Sequence, residues 1–163
     1  MTNILVIGAS GMLGHDLMSE LRDLNVVGFT RQDLDIRHSA QVADAVTGFD
    51  VVINSAAYTK VDDAESNHEL AFAINTTGAL NLARSTSISG AHLIHISTDY
   101  VFDGIKSTPY SELDAVNPQN VYGASKEAGE RAVRSVLRKH IILRTSWVFS
   151  AEGKNFVKTM LKL

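Results

Sequence analysis

Tyr122 and Lys126 stand four residues apart in Tyr122-Gly-Ala-Ser-Lys126. On a helix that spacing puts a phenol and an ammonium on one face, within reach of a common ligand. A free phenol titrates near pH ~10 and exchanges protons poorly at neutrality, but a neighbouring cation favours the phenolate and lowers that value. The pair therefore reads as a proton-delivery device for a carbonyl oxygen. Carbonyl reduction also needs a hydride on carbon, which side chains do not supply and a nicotinamide does. The place for one is the run Gly8-Ala9-Ser10-Gly11-Met12-Leu13-Gly14. It lies between an apolar strand-like segment, Ile4 to Ile7, and a helical pattern carrying Leu13, Leu17, Met18 and Leu21. Glycine in such a turn lets the backbone approach a pyrophosphate, whose charge then sits on the unpaired amides of the helix N-terminus. The spacing is GxxGxxG, one residue longer between its first two glycines than the common dinucleotide fingerprint GxGxxG.

The elements that must hold these groups alternate. Strand-like runs at Ile4 to Ile7, Val26 to Phe29, Val51 to Ile53, Leu93 to Ile96 and Ile141 to Leu143 are separated by helical patterns over Gly11 to Arg22, Ser39 to Thr47, His68 to Ser87 and Asn120 to Arg138. This order predicts an α/β fold: a doubly wound, Rossmann-like parallel sheet with its ligand crevice at the carboxyl ends of the strands. The chemistry-bearing segments fall at such ends. The longest irregular stretch, Asp99 to Gln119, holds both prolines, and loops of that length in a compact domain are usually functional.

The 163 residues make one domain, 45% of them hydrophobic, with net charge −3 and pI near 6.0. Nothing in that balance favours a nucleic-acid or membrane partner. With no cysteine there are no disulfides and no thiolate metal sites. His92 and His95 would point to opposite faces of a strand, and all six histidines read as surface or strand-end residues, not metal ligands. No leader or long apolar segment opens the sequence, so the cytoplasm is the expected compartment. Asn155 to Leu161 begins an amphipathic helix that reaches Leu163 without a cap or following strand, so residues 1–163 are expected to be a nucleotide-binding domain truncated before a C-terminal segment.

Several longer stretches resemble the dTDP-4-dehydrorhamnose reductase family of the extended short-chain dehydrogenase/reductases. They are Ile7-Gly-Ala-Ser-Gly-Met-Leu-Gly14, Ile53-Asn-Ser-Ala-Ala-Tyr-Thr59 with Val61-Asp-Asp-Ala-Glu-Ser66, Ile96-Ser-Thr-Asp-Tyr-Val-Phe102, Asn120-Val-Tyr-Gly-Ala-Ser-Lys126 and Leu143-Arg-Thr-Ser-Trp-Val-Phe149. The resemblance implies NAD(P)H-dependent reduction of the 4-keto group of a dTDP-4-keto-6-deoxy sugar, and leaves room for a homodimer of the full-length protein. It implies Tyr122 as proton donor, Lys126 as the cation beside it that also holds the nicotinamide ribose, and Thr98 as the hydroxyl on the substrate oxygen. Asp99, Tyr100 and Trp147 resemble substrate-contacting positions, and Asp35 and Ile36 resemble contacts around the adenine. Small residues in the segment containing Ala56, Ala57, Tyr58 and Thr59 would let its backbone press on the cofactor.

Cofactor choice rests on the end of the second strand, Gly28-Phe-Thr-Arg31. An acidic residue there selects NAD through the ribose 2′-OH, whereas an arginine accommodates the 2′-phosphate of NADP. Arg31 predicts NADPH, with NADH also admitted by the resemblance. Two other functions fit the same motifs: a sugar-nucleotide epimerase or dehydratase, and a non-catalytic nucleotide-binding subunit. Dehydratases of this kind carry Asp-Glu after the threonine; Tyr100 after Asp99 leaves no base for elimination. A pure binding module has no need of an acid with a tuned pKa.

Overall fold

The computed structural model describes residues 1–151, 153 and 155–161. Five parallel strands form one sheet in the order β2-β1-β3-β4-β5: β1 Asn3–Ile7, β2 Asn25–Phe29, β3 Val51–Asn54, β4 His92–Thr98 and β5 His140–Thr145. The order follows from connectivity. β1 feeds α1 (Met12–Glu20) and then β2 on one side, while β3 returns to the other side of β1. The strand order reverses at β1, so the crevice opens between the ends of β1 and β3.

The inner strands are mainly apolar because both faces are covered, with Asn54, His95, Ser97 and Thr98 as buried polar exceptions. Leu5, Ile7, Val52 and Leu93 pack with Val42 of α2 (Ser39–Ala45), Leu82 of α5 (Ala79–Ser89) and Val133 of α6 (Val121–Val136). Ile4, Val6 and Ile53 face the other way, onto Leu17 and Met18 of α1 and Leu21 just past its end. Towards the β5 edge this second face is open, with Ile141 55% and Leu143 46% exposed.

The helix expected over His68 to Ser87 is not regular. It starts as α4 (His68–Phe72), widens to a π-helical stretch over Ala73–Gly78 and resumes as α5. The segment Val61–Ala64, part of one of the motifs above, forms the short helix α3. Asp99 to Gln119 is irregular as expected, apart from a 3-10 turn at Asp99–Val101, and polar contacts fix it. Tyr110 donates to Asp103 at 2.7 Å, and Lys106 pairs with Asp114 at 2.5 Å. Asn155 caps α7 (Phe156–Met160), accepting from the Lys158 amide at 3.1 Å; Leu163 lies outside the described residues. Among the described residues no helix is long and apolar enough to cross a membrane, and no group of three or more His, Asp or Glu could hold a metal ion.

Candidate active site

The glycine run forms a tight β1-to-α1 turn. Gly8 has φ +84°, a left-handed conformation, and a Cβ there would lie 2.7 Å from the Ala56 backbone nitrogen. Only glycine combines that angle with that approach. A Cβ on Gly14 would meet the Gly8 carbonyl at 2.1 Å, so this glycine lets α1 press onto the turn. Gly8 and Ala9 both donate to the Phe29 carbonyl, at 2.8 and 3.0 Å, which ties the turn to the end of β2. His15 is the first residue to donate back along α1, to Gly11 at 2.8 Å, and Gly11 offers no side-chain cap. The amides of Met12, Leu13 and Gly14 therefore face the crevice without backbone acceptors, the arrangement that receives a phosphate.

Arg31 is exposed just past β2, and among the described residues it has no ion pair or side-chain hydrogen bond. Asp35 is engaged already. Arg37 grips it from Nε at 2.9 and 3.0 Å and from a terminal nitrogen at 2.5 Å, and these hydrogen bonds hold its carboxyl down at about 2. Ile36 is 5% exposed and belongs to the core, so it offers a bound ring only an edge.

At the far end β4 delivers Thr98, which is 5% exposed. Its hydroxyl donates to Asp99 Oδ1 at 3.1 Å and accepts from the Tyr100 amide at 3.2 Å. Two residues anchor the start of α6: Asn120 Oδ1 accepts from the Gly123 amide at 2.7 Å, and Glu65 Oε1 accepts from the Val121 amide at 2.8 Å. Tyr122 thereby stands opposite Thr98, and the edge of the exposed Tyr100 ring meets it at a centroid distance of 5.6 Å.

The electrostatics differ from the expectation that Lys126 lowers the phenol. Burial raises the Tyr122 pKa, a hydrogen bond with Thr98 opposes it, and Asp99 and Tyr100 push it further up. Lys126 is 2% exposed and donates to the Ile96 carbonyl at 2.6 Å; burial brings its own pKa down to about 8. The cation is committed to β4, which is why it does not act on the phenol.

One cavity of about 940 Å³ joins these pieces, near the upper end of ordinary ligand sites. Gly8, Ser10, Gly11, Met12, Leu13 and Gly14 line one part of it, and Arg31, Asp35 and Ile36 another. Ala56, Ala57, Tyr58 and Thr59 lie along its middle, and Thr98, Asp99, Tyr100, Tyr122, Lys126 and Trp147 close the far end. Trp147 is 72% exposed and has φ +50°, sparsely populated for a bulky residue, with its ring edge-on to Phe156 at 4.9 Å. Every residue given a catalytic, cofactor or substrate role from the sequence borders this one space.

Residues 1–163 match the family model described as the RmlD substrate binding domain. The chain belongs to that family. It is 44% identical over 168 residues to a dTDP-4-dehydrorhamnose reductase of Aggregatibacter actinomycetemcomitans, covering 100% of this chain and 57% of the relative. It is 43% identical to the dTDP-4-dehydrorhamnose reductase of Escherichia coli strain K12, covering 99% of this chain and 56% of that one. A solved dTDP-4-dehydrorhamnose reductase of Bacillus anthracis str. Ames in complex with NADP superposes with TM-score 0.96 at 42% identity, over 99% of this chain and 59% of that one. The chain thus spans a little under three fifths of the relatives it matches.

Around the cavity of this RmlD-type domain stand buried polar groups to which the sequence reading gave no functional role. Glu130, 0% exposed, accepts from Ser97 at 2.6 Å, from Arg144 at 2.9 and 2.7 Å and from Arg134 at 2.9 Å. His95 is no surface residue: it is 1% exposed, its Nδ1 faces Asn54 Nδ2 at 3.0 Å, and its Nε2 is buried with no partner among the described residues. Because Asn54 Oδ1 accepts from the Ala56 amide, Nδ2 is the atom turned to the ring, so His95 accepts at Nδ1 and carries its proton on Nε2. Asn75 and Ser125 form a third group. Arg144 could have been flagged from Arg144-Thr-Ser-Trp-Val, where a charge follows an apolar strand.

Proposed function

We propose that the whole protein reduces the 4-keto group of a dTDP-linked 4-keto-6-deoxy sugar with NADPH. The carrying observation is the single cavity with an anion-binding glycine turn at one end and Thr98, Tyr122 and Lys126 at the other. The residues present fit a dinucleotide: the positive φ of Gly8 and the unpaired α1 amides suit its pyrophosphate, and the free Arg31 suits the 2′-phosphate. When bound, the nicotinamide supplies the hydride.

The chain's own residues do the rest. The segment Ala56 to Thr59 backs the cofactor, the Thr98 hydroxyl turns its hydrogen from Asp99 to the carbonyl oxygen, and Tyr122 hands that oxygen its proton as negative charge develops. Hydride to carbon and proton to oxygen complete an alcohol. A phenol kept protonated by burial is suited to donation, and Lys126, anchored on the Ile96 carbonyl and lining the same cavity, would hold the nicotinamide ribose beside it. Tyr100 beside Asp99, where an eliminating enzyme needs a second carboxylate, favours simple reduction. The names of the two relatives described above support the same substrate class.

The test is turnover of the whole protein with NADPH on a panel of nucleotide-linked 4-keto sugars, with product identity read by mass spectrometry. Formation of a dTDP-linked 6-deoxyhexose with a hydroxyl in place of the 4-keto group is expected. NADPH binding without turnover of any 4-keto sugar would overturn the reading in favour of a binding subunit.

A further inference from the structure

Past the end of β2 the chain runs Thr30-Arg-Gln-Asp-Leu-Asp-Ile-Arg37, in which Arg31, Asp33, Asp35 and Arg37 are charged. Arg31, Asp35 and Arg37 border the nucleotide end of the cavity. Asp33 does not. Its carboxylate turns back on Thr30, accepting from the amide at 2.8 Å and from the hydroxyl at 2.7 Å. Asp35 is therefore the carboxylate of this turn that a nucleotide meets. An acidic group at the adenosine end suits a free ribose 2′-OH and repels a 2′-phosphate.

Arg37 covers that carboxylate. Its Nε reaches both oxygens, at 2.9 and 3.0 Å, Nη2 reaches Oδ2 at 2.5 Å, and its amide donates to Oδ1 at 3.1 Å. His38 Nε2 stands farther off, at 3.9 Å from Oδ2. Both members of the pair are partly exposed, on the wall of the cavity and not in the core. The backbone beneath them is pinned: buried Asn81 of α5 donates from Nδ2 to the Ile36 and Arg37 carbonyls at 3.0 and 3.1 Å. The pair is thus formed before any nucleotide arrives. Arg31, Asp35 and Arg37 together carry one net positive charge; without Arg37 they would carry none, and Asp35 would be uncovered.

We infer that Arg37 is a specificity-determining residue: by covering Asp35 it keeps the nucleotide end of the cavity net positive and open to a dinucleotide that bears a 2′-phosphate. The inference rests on the NADPH-dependent reading above. The two arginines then do different things. Arg31, which is free, meets the phosphate, whereas Arg37 removes a repulsion without touching it.

The test is calorimetric titration of the whole protein with NADPH and with NADH, for wild type, Arg37→Gln and the double variant Arg37→Gln with Asp35→Asn. Taking the ratio of the two Kd values cancels contacts to the adenine, which both cofactors share. A partly exposed ion pair contributes little to stability, so the variants should fold. Arg37→Gln should weaken NADPH about fivefold or more relative to NADH, with NADH binding no weaker than in wild type. The double variant has the wild-type net charge and no carboxylate to cover, so its ratio should return to within about twofold of wild type.

A double variant as poor in NADPH as Arg37→Gln would mean that Arg37 binds the phosphate itself. Equal weakening of both cofactors in Arg37→Gln would mean that it only braces the turn. Either result overturns the inference. No sugar enters the titration, so the expected ratios support the inference even if no 4-keto sugar is turned over and the reductase reading fails. A wild type that binds neither cofactor overturns both.

Discussion

Lys126 reaches from α6 to β4 and donates through Nζ to the Ile96 carbonyl at 2.6 Å, with 2% of the residue exposed. A lysine so placed is costly to the fold, since burial brings its pKa down to about 8. Below that pH the charge is carried in both folded and unfolded chains and the whole penalty is present. Between about pH 8 and the unfolded value near ~10.5 the folded chain loses its proton first, so stability rises with pH. Lys126→Met should then be more stable than wild type at pH 7, by on the order of 2 kcal/mol after allowing for the lost hydrogen bond, yet inactive. Calorimetric unfolding at pH 7 and 9.5 checks this. The gain should shrink at the higher pH, and a variant less stable than wild type at pH 7 contradicts it.

His95 gives the opposite end of the pH scale. Burial first, and the charge of Lys126 second, bring its pKa down to about 3. Below pH ~6.5 the unfolded chain takes up a proton that the folded chain refuses, so stability falls steadily as the solution is acidified from there. The loss at pH 5 is about 2 kcal/mol. Urea unfolding at pH 7 and pH 5 should show that loss in wild type and much less of it in His95→Gln; identical pH dependence in the two would exclude His95 as its source.

What could be read from the sequence was whatever local spacing encodes. The glycine turn lies within seven consecutive residues, Tyr122 and Lys126 are one helical turn apart, and the apolar strands announce themselves by composition. The buried link from Asn75 to Tyr58 and Ser125 was not legible because its contacts span 17 and 50 residues and depend on a π-helical turn that periodicity reads as ordinary helix. Glu130 was hidden similarly. On a helix it reads as one half of a surface pair with Arg134, and only the approach of β5 brings Arg144 onto it. The phenol's electrostatics were misread because spacing shows that Lys126 is near Tyr122 but not that its ammonium turns to Ile96.

Glu130 is the buried charge on which this side of the sheet depends. Burial alone would raise its pKa, but hydrogen bonds from Arg144, Ser97 and Arg134 outweigh burial and hold it below the usual range. Its stabilisation is present above the unfolded carboxyl pKa and is lost as pH falls through the lower folded value. Glu130→Ala, which leaves Arg144 without its partner, should cost about 3 to 5 kcal/mol. Adding Arg144→Leu should recover part of it in chemical unfolding. A single variant of wild-type stability would show that the pair is not needed.

Arg31→Ala should weaken NADPH binding roughly tenfold or more and leave NADH binding nearly unchanged, because a charge-assisted contact to phosphate contributes about 1.5 to 3 kcal/mol. Calorimetry with each cofactor distinguishes the cases. Equal losses for both would mean that Arg31 does not read the 2′-phosphate.

The proton-donor role of Tyr122 is tested most directly by single-turnover reduction of the dTDP-4-keto sugar by Tyr122→Phe in the whole protein, with NADPH bound beforehand. The ring, its edge contact with Tyr100 and the packing of α6 are retained, and only the hydroxyl is removed. The rate of reduction should fall ~10² to 10⁴-fold while the Kd for NADPH stays within about twofold. Reduction at the wild-type rate with the hydroxyl gone would contradict the account, since the proton would then reach the oxygen from elsewhere.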